Sequence, residues 1–333
     1  MAGIRPLRKI QLGHEAAVGT NTAATAVWRG LGVLEDQRET VFPSEDIGYI
    51  SGVDRVYTSK LGGILNLASV EATYEQIIYV LEAGIKLVHT GAADGSGSGV
   101  IYNYPFPVTG ANTPQSFTIE GGDDAGAEMM EGCFVPSFSL SGEAGKALMV
   151  SANWVGRQIV PQAFTASIAL PTVEEILFSK CVMYADTPAG SIGATTQSNT
   201  LLQATLNVTT GLIPVYTATG QLYYSFIKTV EPKIELSVTY EHDAYAIAEK
   251  AFWKAGTARQ IRLKFTGSTY TTAGTAYSAK TFIIDLAGKW SKFNGLGEQN
   301  GNDILQGTFV ARYDATAALF ARILATNLNA TLT

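Results

Sequence analysis

Apolar and polar residues alternate with a period of two in several stretches of the chain, as in strands with one buried face. The clearest is 233–241, where Ile234, Leu236, Val238 and Tyr240 alternate with Glu235, Ser237, Thr239 and Glu241. In another, Phe134, Pro136, Phe138 and Leu140 alternate with Val135, Ser137, Ser139 and Ser141. It turns at Gly142-Glu143-Ala144-Gly145 and returns with Leu148, Val150, Ala152 and Trp154 on one face, predicting a hairpin over 134–154. Strand character also runs over 55–70, interrupted by Gly62-Gly63, over 201–240, and in a pair near 280–286 and 303–313. Two segments switch to the helical period. Tyr74, Ile77, Ile78 and Leu81 share one face of a helix expected over 73–83, with Thr73 and Gln76 as a capping box and Gly84 as its stop. A second helix is expected over 244–255, capped by Asp243 and ended by Gly256.

The order strand, helix ending in Ala-Gly, loop, strand pair occurs twice, about 170 residues apart, with Ala83-Gly84 answering Ala255-Gly256. Few letters are shared, so the repeat is one of pattern. It divides the chain into an arm and lead-in (1–40), a first domain (41–170) and a second (171–333). The arm is rich in small residues, and residues 89–115 read as a long loop around Gly95-Ser96-Gly97-Ser98-Gly99. Both segments are expected to be mobile in a free subunit.

A composition that is 46% hydrophobic and 16% charged belongs to a folded chain. Abundant Gly, Ala, Ser and Thr, with Tyr and Phe far ahead of Trp, suit many strands joined by tight turns. The net charge of −6 is uneven: residues 1–170 hold 10 basic against 17 acidic residues, residues 171–333 hold 13 against 12. That balance lacks the footprint of a nucleic-acid binder. No secretory leader and no run of 18 apolar residues is present, so synthesis in a cytoplasm and no membrane partner are expected. Cys133 and Cys181 are expected to be buried free thiols.

The search for chemistry finds little. His14, His89 and His242 have no ligand partner at metal-binding sequence spacing, so no metal and no cofactor is expected. Ser141 to Lys146 fails as a phosphate loop, because Leu140 stands where the first Gly belongs and Ala147 follows Lys146. Glu120, Asp123, Asp124, Glu128 and Glu131 form an acidic run that fits no EF-hand. No nucleophile elbow is present. The expectation is a protein that is not an enzyme.

Leu7-Arg8-Lys9-Ile10-Gln11-Leu12-Gly13-His14-Glu15 followed by Gly19-Thr20 resembles the opening of tail tube proteins of long-tailed bacteriophages. Pro43 to Gly48 before Arg55-Val56-Tyr57, the stretch Ala68–Gly84, and Glu131-Gly132-Cys133-Phe134 leading into the hairpin continue the resemblance, which is best over 7–160. It implies a mainly β fold with a few helices: two tandem β-sandwich or barrel domains, each with one packed helix and four strands in an inner barrel. A subunit with two such domains is similar to those forming trimeric, pseudo-hexameric rings that stack through loops and arms into a tube in the virion tail. The partners implied are further copies of the chain, the terminator, tape measure and tail-tip proteins, and double-stranded DNA in transit. On that reading Asn66, Glu235, Ser237, Thr239 and Glu241 face the lumen, while Tyr102, Tyr104 and Phe106 form an assembly loop. Leu65 and Leu67 point into the core, and the side taken by Glu71 stays open. Rival readings are another tail component, terminator or tail tip; a carbohydrate-binding or adhesin β-sandwich using the same three aromatics; and an unknown hydrolase.

Overall fold

The period-two segments all become antiparallel strands in the computed structural model, which describes residues 3–332 and is mainly β. Strands β1 (Lys9–His14), β2 (Ala26–Trp28) and β3 (Leu34–Asp36) come first, then a hairpin of β4 (Glu39–Val41) and β5 (Tyr57–Lys60). Next are β6 (Gly63–Glu71) and helix α1 (Ile77–Gly84), then β7 (Ala92–Ala93), β8 (Val100–Pro105) and β9 (Phe117–Gly122). The long β10 (Ala127–Glu143), β11 (Met149–Gly156) and β12 (Ile159–Pro161) complete this half. The second half begins with β13 (Cys181–Asp186), β14 (Thr196–Gln197) and β15 (Leu201–Thr209). A hairpin of β16 (Leu212–Val215) and β17 (Phe226–Thr229), then β18 (Lys233–Glu241) and α2 (Ala244–Lys254), follow. The last strands are β19 (Arg259–Thr269), β20 (Ala279–Phe293), β21 (Gly297–Gln299), β22 (Asn302–Ala311) and β23 (Ala321–Asn327).

One central sheet runs through the molecule in the order β3–β6–β11–β10–β15–β18–β22–β20. Two outer sheets branch from it because β10 and β20 are long enough to serve twice. The first part of β10 pairs with β9 and β12, in the order β2–β1–β9–β10–β12. The first part of β20 pairs with β19 and β23, in the order β14–β13–β19–β20–β23–β8–β7. These pairings close no ring, so the barrel alternative is not realised among the described residues of one chain. Apart from β7 and β8, which join the second outer sheet, the order β2–β1–β9–β10–β12 of residues 9–161 is matched by β14–β13–β19–β20–β23 of residues 181–327.

The switch of β10 between sheets is sited at Gly132. Its φ of +64° is a conformation glycine adopts without strain, and the ladder registers with β9 and β11 both shift beside it. The buried Glu15 carboxylate fixes this bend, accepting from the N–H groups of Gly132 and Gly19 (both 2.8 Å) and from the Thr118 hydroxyl (2.9 Å).

Every residue of α1 is buried, more than one apolar face predicts, because β8 covers it on a further side. Its cap also differs from the expected box. Thr73 Oγ1 accepts from Gln76 N–H, but the Gln76 side chain turns away to β2, donating to Val27 O and accepting from Arg29 N–H. The second helix follows expectation: Asp243 Oδ1 accepts from Ala246 N–H at 2.9 Å, and Gly256 follows with φ +65°.

Two expectations are corrected. Residues 1–40 are not a featureless arm: β1 and β2 bury Ile10, Leu12 and Trp28, apolar side chains spaced too sparsely to read as strands. Residues 89–115 are not only loop. Strand β8 lies within them and pairs with β23, placing Tyr102, Tyr104 and Phe106 in the chain's own core rather than on an exposed assembly loop. Tyr102 donates to Asn329 O and Phe106 meets Phe320 edge-on. Both cysteines are free, but only Cys133 is fully buried; Cys181 is partly exposed.

In the second outer sheet Asp285 is fully buried between two guanidinium groups, Arg262 Nε at 2.6 Å and Arg322 Nη2 at 2.5 Å. The Asp285 hydrogen bond raises the Arg262 pKa above its ordinary value. Removing this carboxylate strands two half-buried cations. Asp285→Ala is expected to lower unfolding stability by about 3 kcal/mol, read as a fall in Tm, whereas an unchanged Tm would show the triad to be dispensable.

Candidate functional site: the polar face of the central sheet

Each strand of the central sheet alternates, and the ladder register carries that alternation across all of them. Leu65, Leu67, Phe138, Leu140, Val150, Trp154, Leu206, Val208, Leu236, Val238 and Phe309 are buried on one side. The other side is polar. One row runs Asn66, Asn153, Ser137, Thr209 and Lys233. The next runs Ser151, Ser139, Asn207, Glu235, Val310 and Lys289. A third runs Glu71, Met149, Ser141, Thr205, Ser237, Thr308 and Lys292. The fourth runs Glu143, Gln203, Thr239 and Gln306.

This register puts Asn66, Glu235, Ser237 and Thr239 on the polar face, with Glu241 at its end, and resolves the side of Glu71. The break at Ser69-Val70 is a bulge: Ala68 and Ser69 oppose the single Ser151, so Val70 returns to the core and Glu71 to the polar face. Thr239 is nonetheless buried, in a shallow groove with Gln203, Ser237, Lys292 and Gln306. A matching groove lies among Asn66, Ser137, Ser139, Ser151, Asn153 and Asn207, where the Ser139 and Ser151 hydroxyls share a 2.8 Å hydrogen bond.

Charge on this face is sparse and mixed. Glu71, Glu143, Glu235 and Glu241 stand against Lys233, Lys289 and Lys292. Apart from Met149, Glu235 and Val310, the interior of every row is Ser, Thr, Asn or Gln. The acidic excess of the first half lies elsewhere, much of it in exposed segments holding Glu35, Asp36, Glu39, Asp46 and Asp54.

Two edges remain open. β3 has β6 as its one ladder partner, and β19 leaves β20 at Gly288, so Lys289–Phe293 pairs with β22 alone. Two hairpins project from the rows. The hairpin β16–β17 packs on the first half: Leu212 and Tyr224 cluster with Phe134, the Tyr224 hydroxyl donates to Gly132 O, and Arg157 donates to Ser225 O. The hairpin β4–β5 carries a loop that exposes Phe42, Tyr49, Ile50 and Val56, and Tyr57 at the start of β5 is exposed with them. Its apolar residues among Asp and Gly are the signal of this exposed loop in the sequence.

A family model described as phage tail tube protein matches residues 7–304. No curated protein matches the sequence. No helix among the described residues is long and apolar enough to cross a membrane.

The faces are separable by mutation. Leu236→Ala should lower stability by about 3 kcal/mol, since Leu236 is wholly buried. Glu235→Lys, one residue away and exposed, should change it by less than about 0.5 kcal/mol. Denaturant unfolding of both variants checks this, and the reverse ranking would exchange the two faces.

Proposed function

The chain belongs to the phage tail tube protein family, and from that premise we propose that it is a tandem two-domain subunit, three copies of which form each ring of the tube. As a member of that family it is a structural protein of the virion tail that assembles with itself and with other tail components. The finer reading is supported by one observation above all: the eight-strand central sheet. Its strands divide as β3–β6–β11–β10 and β15–β18–β22–β20, four to each proposed domain, with a boundary near residue 171. The β10–β15 ladder joins the two sets within one chain. The open Lys289–Phe293 edge of β20 then meets β3 of the next copy, as β10 meets β15 here.

Three copies supply about 24 strands. At about 4.8 Å per strand and about 40° tilt, the closed perimeter is about 150 Å and the backbone diameter about 48 Å. Side chains leave about 38 Å clear, wider than a DNA duplex. The polar face lines that lumen, with Asn66, Glu235, Ser237, Thr239 and Glu241 toward the channel. Its near-neutral surface suits a conduit for DNA ejection. Each phosphate neutralised by a fixed cation adds affinity through counterion release, so a strongly basic lining would hold the genome. The exposed β4–β5 loop serves contacts between rings, and the terminator, tape measure and tail-tip proteins are the partners at the tube's ends and in its lumen. No catalytic role is required of any residue in this reading.

Two measurements test it. Symmetry and mass of the assembled ring by electron microscopy and native mass spectrometry should give three chains per ring, and six full-length chains would end the tandem-domain argument. Glu235→Lys with Glu241→Lys adds six positive groups to the lumen side of each three-chain ring. Tubes should still form, while DNA ejection from virions carrying the variant slows, most at low salt. Ejection unaffected at every salt concentration would remove these side chains from the channel.

A further inference from the structure

Sequence spacing separates His14, Glu82 and His89, yet the fold gathers them. His14 ends β1, Glu82 lies in the last turn of α1, and His89 lies on the segment leading to β7. One ligand atom from each lies within 4.8 Å of the others, the one such group of three among the described residues. Glu82 is fully buried, and no Lys or Arg pairs with it among the described ion pairs. One of its oxygens, Oε1, accepts from Val88 N–H at 3.1 Å. The other, Oε2, has no hydrogen-bond partner and is aimed at His14 Nε2, 3.2 Å away, itself buried and without a hydrogen bond. His89 is exposed, its Nδ1 2.7 Å from His14 Nδ1, and its carbonyl is held by Leu332 N–H. Glu82 also faces the phenols of Tyr102 and Tyr104; burial, with Glu82 second, pushes the Tyr102 pKa up to about 12 and that of Tyr104 above its ordinary value. The phenols supply no cation, and His14 pairs with Glu82 as one only when protonated.

A buried carboxylate needs a paired or coordinated positive charge. We propose that His14, Glu82 and His89 form a binding site for a zinc-class divalent transition-metal ion. Bonds of about 2.0–2.2 Å at tetrahedral angles place ligand atoms about 3.3 Å apart, and Glu82 Oε2 and His14 Nε2 already stand at 3.2 Å. The exposed His89 ring turns in as the third ligand, and a water takes the fourth position. Two imidazoles and one carboxylate are a donor set suited to zinc and cobalt(II) and poorly suited to calcium or magnesium, which prefer all-oxygen shells. Val88 N–H is the outer-shell partner that holds the carboxylate's second oxygen. The ion would clip β1 and α1 to the segment that carries β8 across to the second half.

The test uses the full chain without a histidine tag, stripped by chelator. Cobalt(II) titration should give the visible ligand-field absorption of a four-coordinate ion, saturating at one ion per chain and displaced by zinc, and zinc should raise Tm. His89→Ala, at an exposed position, should leave the metal-free Tm unchanged, weaken cobalt(II) binding at least tenfold and abolish the zinc-dependent rise. Glu82→Gln should likewise lose the absorption. Absence of a one-to-one site in the unaltered chain, or binding that survives both substitutions, overturns the proposal.

Discussion

Every peptide group in a sheet needs a partner, and a sheet that does not close has two edges where half of those partners are missing. The central sheet depends on how that constraint is met. Within the chain it is met six strands deep, and the junction between β10 and β15 is an ordinary antiparallel ladder running from Ser137 opposite Thr209 to Glu143 opposite Gln203. At its ends it is not met: the outer sides of β3 and of Lys289–Phe293 are unpaired. The short β3 edge carries Glu35 and Asp36 and the β20 edge carries Lys289 and Lys292, opposite charges that suit pairing of one edge with the other rather than of like edges.

The second constraint is that a sheet wet on one side must be covered on the other. The chain achieves this economically by letting β10 and β20 run from the covering sheet into the central one. A strand can serve two sheets only by bending, which is why Gly132 stands at the bend of β10 and why a buried carboxylate, Glu15, gathers three donors around it. Helix α1 fills the space between layers, every residue buried, whereas α2 lies on the surface with only Ala246 and Glu249 buried.

Legibility from sequence follows from the same physics. Strand β18 and the faces of β6, β10 and β11 were readable because a two-sided environment forces alternation, and Asp243 was readable because a cap is local. Strands β1, β2 and β8 were not. β1 and β2 pair with each other but bury only a few apolar residues, while β8 pairs with β23 over two hundred residues later, and Tyr102, Tyr104 and Phe106 among Asn and Pro look the same whether buried or exposed until that partner is known. The Gly-Ser run beside them suggested mobility, but Ser98 N–H is held by Thr272 O and Asp94 accepts from Ala276 and Tyr277, so small residues here permit close approach of two loops. The gathering of His14, Glu82 and His89 is equally invisible without the fold. For the polar face, sequence gave the side of each strand, while its near-neutral character needed the register that lines up rows from different strands.

The crossing of β8 to β23 has a bearing on biosynthesis. Helix α1 is covered by a strand whose ladder partner is residues 321–327, and Asn327 donates to Tyr74 O just ahead of that helix. The core of the first half therefore cannot close while residues 321–332 are still inside the ribosome. Until then the nascent chain has its earliest α-helix uncovered. Emergence of residues 321–327, rather than of the first half alone, sets the moment at which that core can close.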